Sequence, residues 1–312
     1  MDLLEPNAGL SASQKELACL IRRHTPSEGL NETAVPGLRF MRTSHVSEPM
    51  HTVYAPSLCI VAQGSKTASL GAEMYRYDPS AYLVTSVHLP MIGKIIEASP
   101  ELPYLSLQLN FSTDAIVDIV RDTADSSRGS RDSGRGLAVN RSTAPLLEAI
   151  VRLVRLLDSP ADIGILAPLI VREVLYRVLQ GDQGELIRQF AVIGSHANSI
   201  SKAIHLLHRD YYKPLHVEEL AKEVSLSPSA LFKHFKKVTA MSPLQFQKAI
   251  RLQEARRLLL MESLDAADAG YRVGYESPSQ FSREYARQFG LPPISDVKRL
   301  RGSALPVESP PQ

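Results

Sequence analysis

Between residues 104 and 111 the chain reads YLSLQLNF, with Leu105, Leu107, Leu109 and Phe111 alternating with Ser106, Gln108 and Asn110. A period of two puts the apolar set on one face of a strand and the polar set on the other. The same texture runs from about 38 to 111. LCIVAQG (58–64) is a compact apolar run, and KTASLGAEMYRYD (66–78) reads as a hairpin turning at Leu70-Gly71-Ala72. AYLVTS (81–86) and MIGKIIEA (91–98) follow. Several short strands at close spacing predict a barrel or sandwich. Ahead of them, Glu16, Leu17, Leu20 and Ile21 recur at helical spacing, so residues 1–35 read as a helical lead-in. Behind them lies RDTADSSRGSRDSGRG (121–136), a polar loop rich in Gly and Ser. Apolar-striped helices are predicted over about 142–158 and 164–180. ILAPLIVREVLYRVL is apolar on most faces, so it is buried or pairs with another subunit. GDQGE (181–185) ends it. From 198 to 301 everything is helical with short breaks, and the Pro-rich tail within 302–312 is expected to be disordered.

The helical third repeats itself. SLSPSALFKHFKKVTAMSP (225–243) matches YESPSQFSREYARQFGLPP (275–293) at an offset of 50 residues. Ser227-Pro228-Ser229 corresponds to Ser277-Pro278-Ser279, Leu231 and Phe235 to Phe281 and Tyr285, and Ala240 to Gly290. Upstream, Ala221 and Val224 correspond to Gly270 and Val273 at an offset of 49, so the second turn is one residue longer.

The physics of the unit is visible in its residues. Ser227 and Ser277 suit a helix N-cap, since a hydroxyl accepts from an otherwise unpaired backbone N–H. Pro228 and Pro278 fit the first helical turn, where a missing N–H costs nothing. Gln280, three residues past Ser277, has capping-box spacing. Phe281, Tyr285 and Phe289 share one face, which must be core, and Ser279, Ser282, Arg283 and Arg287 lie opposite. In the first copy, Val217 to Val224 form a supporting helix. Leu231 and Phe235 then face the core, and Ser229, Lys233, Lys236 and Lys237 face out. A helix, a tight turn at Gly274-Tyr275 and a capped helix with a polar outer face make a helix-turn-helix. The stretch SPLQFQKAIRLQEARRLLLMES is a long helix that holds two such units at a fixed separation, suited to successive major grooves roughly 34 Å apart.

At these residues the chain resembles the AraC/XylS family of bacterial transcription regulators. RLQEARRLL (251–259) and VGYESPSQFSREYARQFGLPP look like the family's pattern, over about 100 residues. The resemblance implies a DNA-binding module of seven helices over 198–301, with the third and sixth reading bases. Lys233 and Arg283 then sit where the family places base-contacting residues, with Ser229 and Ser279 near the leading ends. Two positions depart from the pattern. Ala240 stands where the first unit usually has Gly, at a cost of about 1 kcal/mol if φ is positive there. Gly270 stands where the second usually has Ala, which weakens a helix interior by about 1 kcal/mol.

CIVAQGSKTASLGAEMYRYDP resembles the cupin-like N-terminal domain of one branch of that family. It implies an α+β chain of two domains. The first, over 1–190, is a β-barrel with flanking helices that senses an effector and dimerises. The resemblance also implies double-stranded DNA, a small-molecule effector and RNA polymerase as partners, and a place in the cytoplasm at the nucleoid.

Composition sharpens this picture at three points. Residues 1–197 carry 18 basic against 21 acidic side chains, and 198–312 carry 17 against 12, so the positive excess sits in the last third. That balance suits a polyanion, with Lys236, Lys237 and Arg287 as phosphate contacts. Cys19 and Cys59 lie far apart and form no disulfide framework, which favours a reducing cytoplasm. The acidic, proline-broken N-terminus is not a signal peptide, and no apolar run reaches membrane-spanning length. The competing reading is a cupin enzyme, metal-dependent or metal-free, with a helical appendage. Metal cupins need clustered ligands. His45, His51 and His88 are scattered and no His-x-His occurs, so no metal, cofactor or catalytic residue is expected. A third reading is a protein-interaction module without nucleic acid. Within the N-terminal half, Cys59 and His88 are the candidate effector-sensing residues.

Overall fold

Strand β9 (Tyr104–Asn110) is the alternating stretch, and it lies between β2 (Leu38–Thr43) and β4 (Ser57–Gln63). The computed structural model describes residues 8–123, 134–192, 194–262 and 264–302. Most of the predicted 121–136 loop and the 302–312 tail lie outside those residues. With β1 (Gly29–Glu32), β7 (Ala81–Thr85) and β10 (Leu137–Arg141), these strands form a six-stranded antiparallel sheet ordered β1-β2-β9-β4-β7-β10. Leu107 stands opposite both Phe40 and Ile60. Together with Leu105 and Leu109 they make a buried apolar face. That face is covered by α1 (Ala8–Arg23) and α3 (Ala144–Arg155), whose Leu17, Ile21, Leu147 and Ile150 are at most 1% exposed.

A second antiparallel sheet, ordered β3-β8-β5-β6, is built from β3 (Met50–Tyr54), β5 (Ser65–Leu70), β6 (Glu73–Tyr77) and β8 (Leu89–Glu97). The predicted hairpin is β5–β6, with Gly71 at its tip in a positive-φ conformation. The expected α+β organisation holds, and of the barrel and sandwich alternatives the strands form two sheets rather than a closed barrel. No ladder joins the two sheets among the described residues, so they face one another as separate layers. Helices α1 and α3 close one side of the six-stranded sheet, and the four-stranded sheet shares a buried cluster with the C-terminal helices. Two short strands, β1 and β10, are absent from the sequence-based expectation.

Helices α2 (Thr113–Asp122), α4 (Pro160–Leu179) and α5 (Gly184–Ala191) complete the N-terminal half. Among the described residues the C-terminal region holds seven helices: α6 (His196–Arg209), α7 (Val217–Glu223), α8 (Pro228–Thr239), α9 (Pro243–Met261), α10 (Ala266–Arg272), α11 (Pro278–Phe289) and α12 (Pro293–Gly302). The first unit shares one core with the four-stranded sheet, where Leu231, Phe235 and Val238 meet Val87, Leu89 and Leu137. The second has its own core around Tyr275, Phe281 and Tyr285. Among the described residues no helix is long and apolar enough to cross a membrane.

Candidate nucleic-acid interface

The 50-residue repeat is a repeat of structure. Helices α8 and α11 each have 12 residues and begin at proline. Ser227 accepts from the Ala230 N–H at 3.2 Å and Ser277 from the Gln280 N–H at 3.3 Å, as cap chemistry requires. Both helices end on a left-handed residue, Ala240 at φ 61° and Gly290 at φ 81°. The turns also correspond, because Ser225 at φ 58° occupies the place of Gly274 at φ 89°. Glycine is obligatory at 274 for a second reason: a Cβ there would lie 2.1 Å from the Tyr212 carbonyl oxygen.

Ser225 and Ala240 are the two non-glycine residues with positive φ among the described residues, and both belong to the first unit. An L side chain in that region costs roughly 1 kcal/mol. Ala240→Gly is therefore expected to stabilise the chain by about 1 kcal/mol, a rise in thermal midpoint of about 2–4 °C. A lowered midpoint would show that the contact of the Ala240 methyl with Gly71 outweighs the strain. Gly270 has a packing reason. A Cβ there would lie 3.0 Å from the Phe281 ring, so the missing methyl lets α10 approach the aromatic face of α11. One expectation fails: Gln280 does not complete a capping box, and its amide reaches Glu284 at 3.4 Å instead. The complete box is at Ser242 and Gln245, at the start of α9.

The outer faces are as expected from the pattern. Ser229, Lys233 and Lys236 on α8 and Ser279, Arg283 and Arg287 on α11 are exposed, and Lys237 is half-buried. Most other cations of the region are engaged. Arg209 and Lys213 pair with Asp210, Lys248 with Glu284, Arg257 with Glu254 and Arg272 with Glu262. Arg251 donates to the carbonyls of Tyr211, Lys213 and Gly274. Lys233, Lys236, Arg283 and Arg287 have no carboxylate partner among the described residues. Four cations without a carboxylate partner thus lie on the two capped helices; Lys222 on α7 is exposed and likewise has none among the described residues.

Sequence reasoning missed what holds α11 in place. Asp296 is fully buried and accepts from Arg256 at 2.7 and 2.9 Å, from the Tyr285 hydroxyl at 2.9 Å and from Arg299 at 3.2 Å. The Arg256 guanidinium also lies 4.4 Å from the centre of the Phe289 ring. Burial first, and then the Asp296 charge, pushes the Tyr285 phenol far up, so it remains a donor. One carboxylate therefore joins α9, α11 and α12.

In the N-terminal half the two sheets enclose a cavity of about 30 Å³, room for about one water molecule. Cys59, Lys66, Tyr54, Tyr77, Tyr104 and Gln108 line it. Lys66 is only 8% exposed and its ammonium lies 5.5 Å from the centre of the Tyr54 ring. Burial pushes the Tyr104 phenol up to about 12. His88 does not line this cavity. It stacks on His208 of α6 at 4.5 Å, where burial and then His208 lower it to about 4. The two candidate sensing residues are thus separated, and only Cys59 faces a cavity. Among the described residues no group of three or more His, Cys, Asp or Glu could hold a metal ion.

Residues 34–186 match the family profile of the AraC-type transcriptional regulator N-terminus, and residues 220–299 match that of a helix-turn-helix domain. The lactose operon transcription activator of Staphylococcus xylosus is 28% identical over 146 residues, 46% of this chain and 52% of the activator. The Msm operon regulatory protein of Streptococcus mutans is 25% identical over 220 residues, 68% of this chain and 74% of that protein. The chain spans about half the length of the first curated relatives it matches. Two structures of ToxT from Vibrio cholerae share the fold. One covers 87% of this chain and 98% of its own, with a TM-score of 0.58 at 12% identity. The other, bound to an unsaturated fatty acid, covers 88% and 96%, with a TM-score of 0.55 at 13% identity.

Proposed function

The chain belongs to the AraC family of transcription regulators, and from that premise we propose that it binds specific DNA sequences under the control of a small molecule. One observation carries the DNA half. Two matched, capped helices present their polar faces outward, and those faces carry Lys233, Lys236, Arg283 and Arg287, which no carboxylate among the described residues neutralises. Lys233 and Arg283 read base edges, since long cationic side chains donate to guanine O6 and N7. Ser229 and Ser279 lie beside them at the leading ends. Lys236, Lys237 and Arg287 take phosphates and set the register. The test is affinity for duplex DNA at several salt concentrations. Three neutralised phosphates give a slope of roughly −3 in log affinity against log salt. A flat line removes the DNA reading.

The intersheet cavity is the effector site in this proposal. Lys66 supplies a buried positive charge, Cys59 and the tyrosines supply its walls, and a ToxT structure with a bound fatty acid supports an acidic effector. Because the cavity holds about one water, entry parts the sheets. Lys66→Met is expected to abolish the thermal shift that an acidic effector produces. An unchanged shift would place the site elsewhere.

Helix α4 is the surface for a second copy. Ile165 and Leu169 are 74% and 61% exposed, and Tyr176 lies on the same face at helical spacing. Equilibrium sedimentation is expected to show a dimer. RNA polymerase at the promoter, in the cytoplasm, completes the reading.

A further inference from the structure

The N-terminal half touches both capped helices, and it touches each at its last turn. At α8 the contact is made by the segment entering β10. The Gly136 N–H donates to the Val238 carbonyl at 3.0 Å, and Arg135 Nη1 donates to the carbonyls of Lys236 at 3.1 Å and Lys237 at 2.6 Å. Those carbonyls belong to the end of a helix, which carries partial negative charge, and the Lys236 oxygen also accepts from the Ala240 N–H at 2.9 Å. Arg135 is held in turn by Glu73 on β6, which accepts from Nε at 2.9 Å and also from Nη2. The Tyr75 hydroxyl donates to the same carboxylate at 2.5 Å. The hairpin tip adds a close approach, since a Cβ on Gly71 would lie 3.0 Å from Ala240 Cβ.

At α11 the contact comes from β3. The His51 ring meets Phe289 edge-on at 5.1 Å, and Gln288 Nε2 lies 3.4 Å from His51 Nδ1. Burial, and then Arg256, lower His51 to about 4, so it is neutral at pH 7. Strands β3 and β6 are the two opposite edges of one four-stranded sheet. Each edge therefore grips the end of one capped helix, while the outer faces of both helices stay open.

We infer that Arg135 is a positioning residue for DNA recognition: with Glu73 it ties the last turn of α8 to one edge of the sheet whose other edge holds α11. The inference rests on the DNA reading proposed above. Helix α9 links the two units, and the sheet removes the swing that one linking helix leaves to them. Four of the five Arg135 N–H groups are directed at Glu73 and the two carbonyls, so its chief part is to hold the helix end. A lysine cannot replace it, since one ammonium lacks the planar fork that spans a carboxylate and two carbonyls.

The experiment uses the full chain and the two-element site selected from random DNA. Affinity is measured for that site and for versions with the elements moved by one or two base pairs. The native chain prefers one spacing. Arg135→Ala is expected to lose roughly tenfold on the preferred spacing and much less on the altered ones, because preorganisation acts only where the geometry fits. Glu73→Gln, a change at a half-exposed side chain, shifts the preference in the same direction, and Arg135→Lys does not restore it. An Arg135→Ala protein with native circular dichroism and an unchanged spacing preference overturns the inference. So does one that binds every site more tightly, which would make the contact a restraint against binding. If the native chain selects no site at all, the DNA reading itself fails, which is a separate result.

Discussion

Asp296→Ala is expected to lower stability by about 3–5 kcal/mol, the usual effect of removing one partner of a buried ion pair. The carboxylate is fully buried, and its loss leaves Arg256, 9% exposed, without a counter-charge. It also strips the Tyr285 hydroxyl of its acceptor inside the core of the second unit. The damage should be local, because the second core is separate from the one that the first unit shares with the sheet. Urea unfolding followed by hydrogen exchange would place the loss in α9, α11 and α12. A double variant, Arg256→Met with Asp296→Leu, should recover much of the stability, since apolar groups of similar size often replace a buried pair at little cost. A single Asp296→Ala change within about 0.5 kcal/mol of the native chain, a shift typical of surface positions, would mean that water enters and compensates the cation.

Arg283→Ala is expected to weaken binding to the cognate site by about 1–3 kcal/mol, roughly 5- to 150-fold, and to relax the base preference at one position. Arg283 is exposed in the middle of α11, opposite the buried Phe281 and Tyr285, and no carboxylate among the described residues holds it. Arg287, one turn later, should behave differently. Its loss lowers affinity evenly across sequences and reduces the salt slope by about one. The comparison separates reading from anchoring within one helix. An equal loss on every sequence for Arg283→Ala would demote it to a phosphate contact.

The recognition module was legible because its evidence is local. Caps, first-turn prolines and core spacing lie within a dozen residues, and their repetition at an offset of 50 tested each against the other. The left-handed backbone at Ala240 was legible for the same reason, since its repeat partner is Gly290. What escaped notice depends on partners distant in sequence. Strand β10 has only five residues and forms through its pairing with β7, more than fifty residues upstream. Asp296 reads as an ordinary acidic residue in a first helical turn until Arg256, 40 residues away, is placed against it. His88 stacks on His208, a residue 120 positions away that no local pattern connects to it. Barrel and sandwich both stayed open because short strands at close spacing do not say which strand edges will pair. Gln280 had the right spacing for a capping box, but Glu284 one turn later offered its side chain another partner.

Selection of bound duplexes from a random DNA pool by the full chain is the direct test of DNA recognition by the repeat. Helices α8 and α11 should enrich a site with two readable elements about one helical turn apart. A single element would mean that one of the two helices only anchors the protein. A pool that emerges without enrichment would contradict the central claim that this repeat reads DNA.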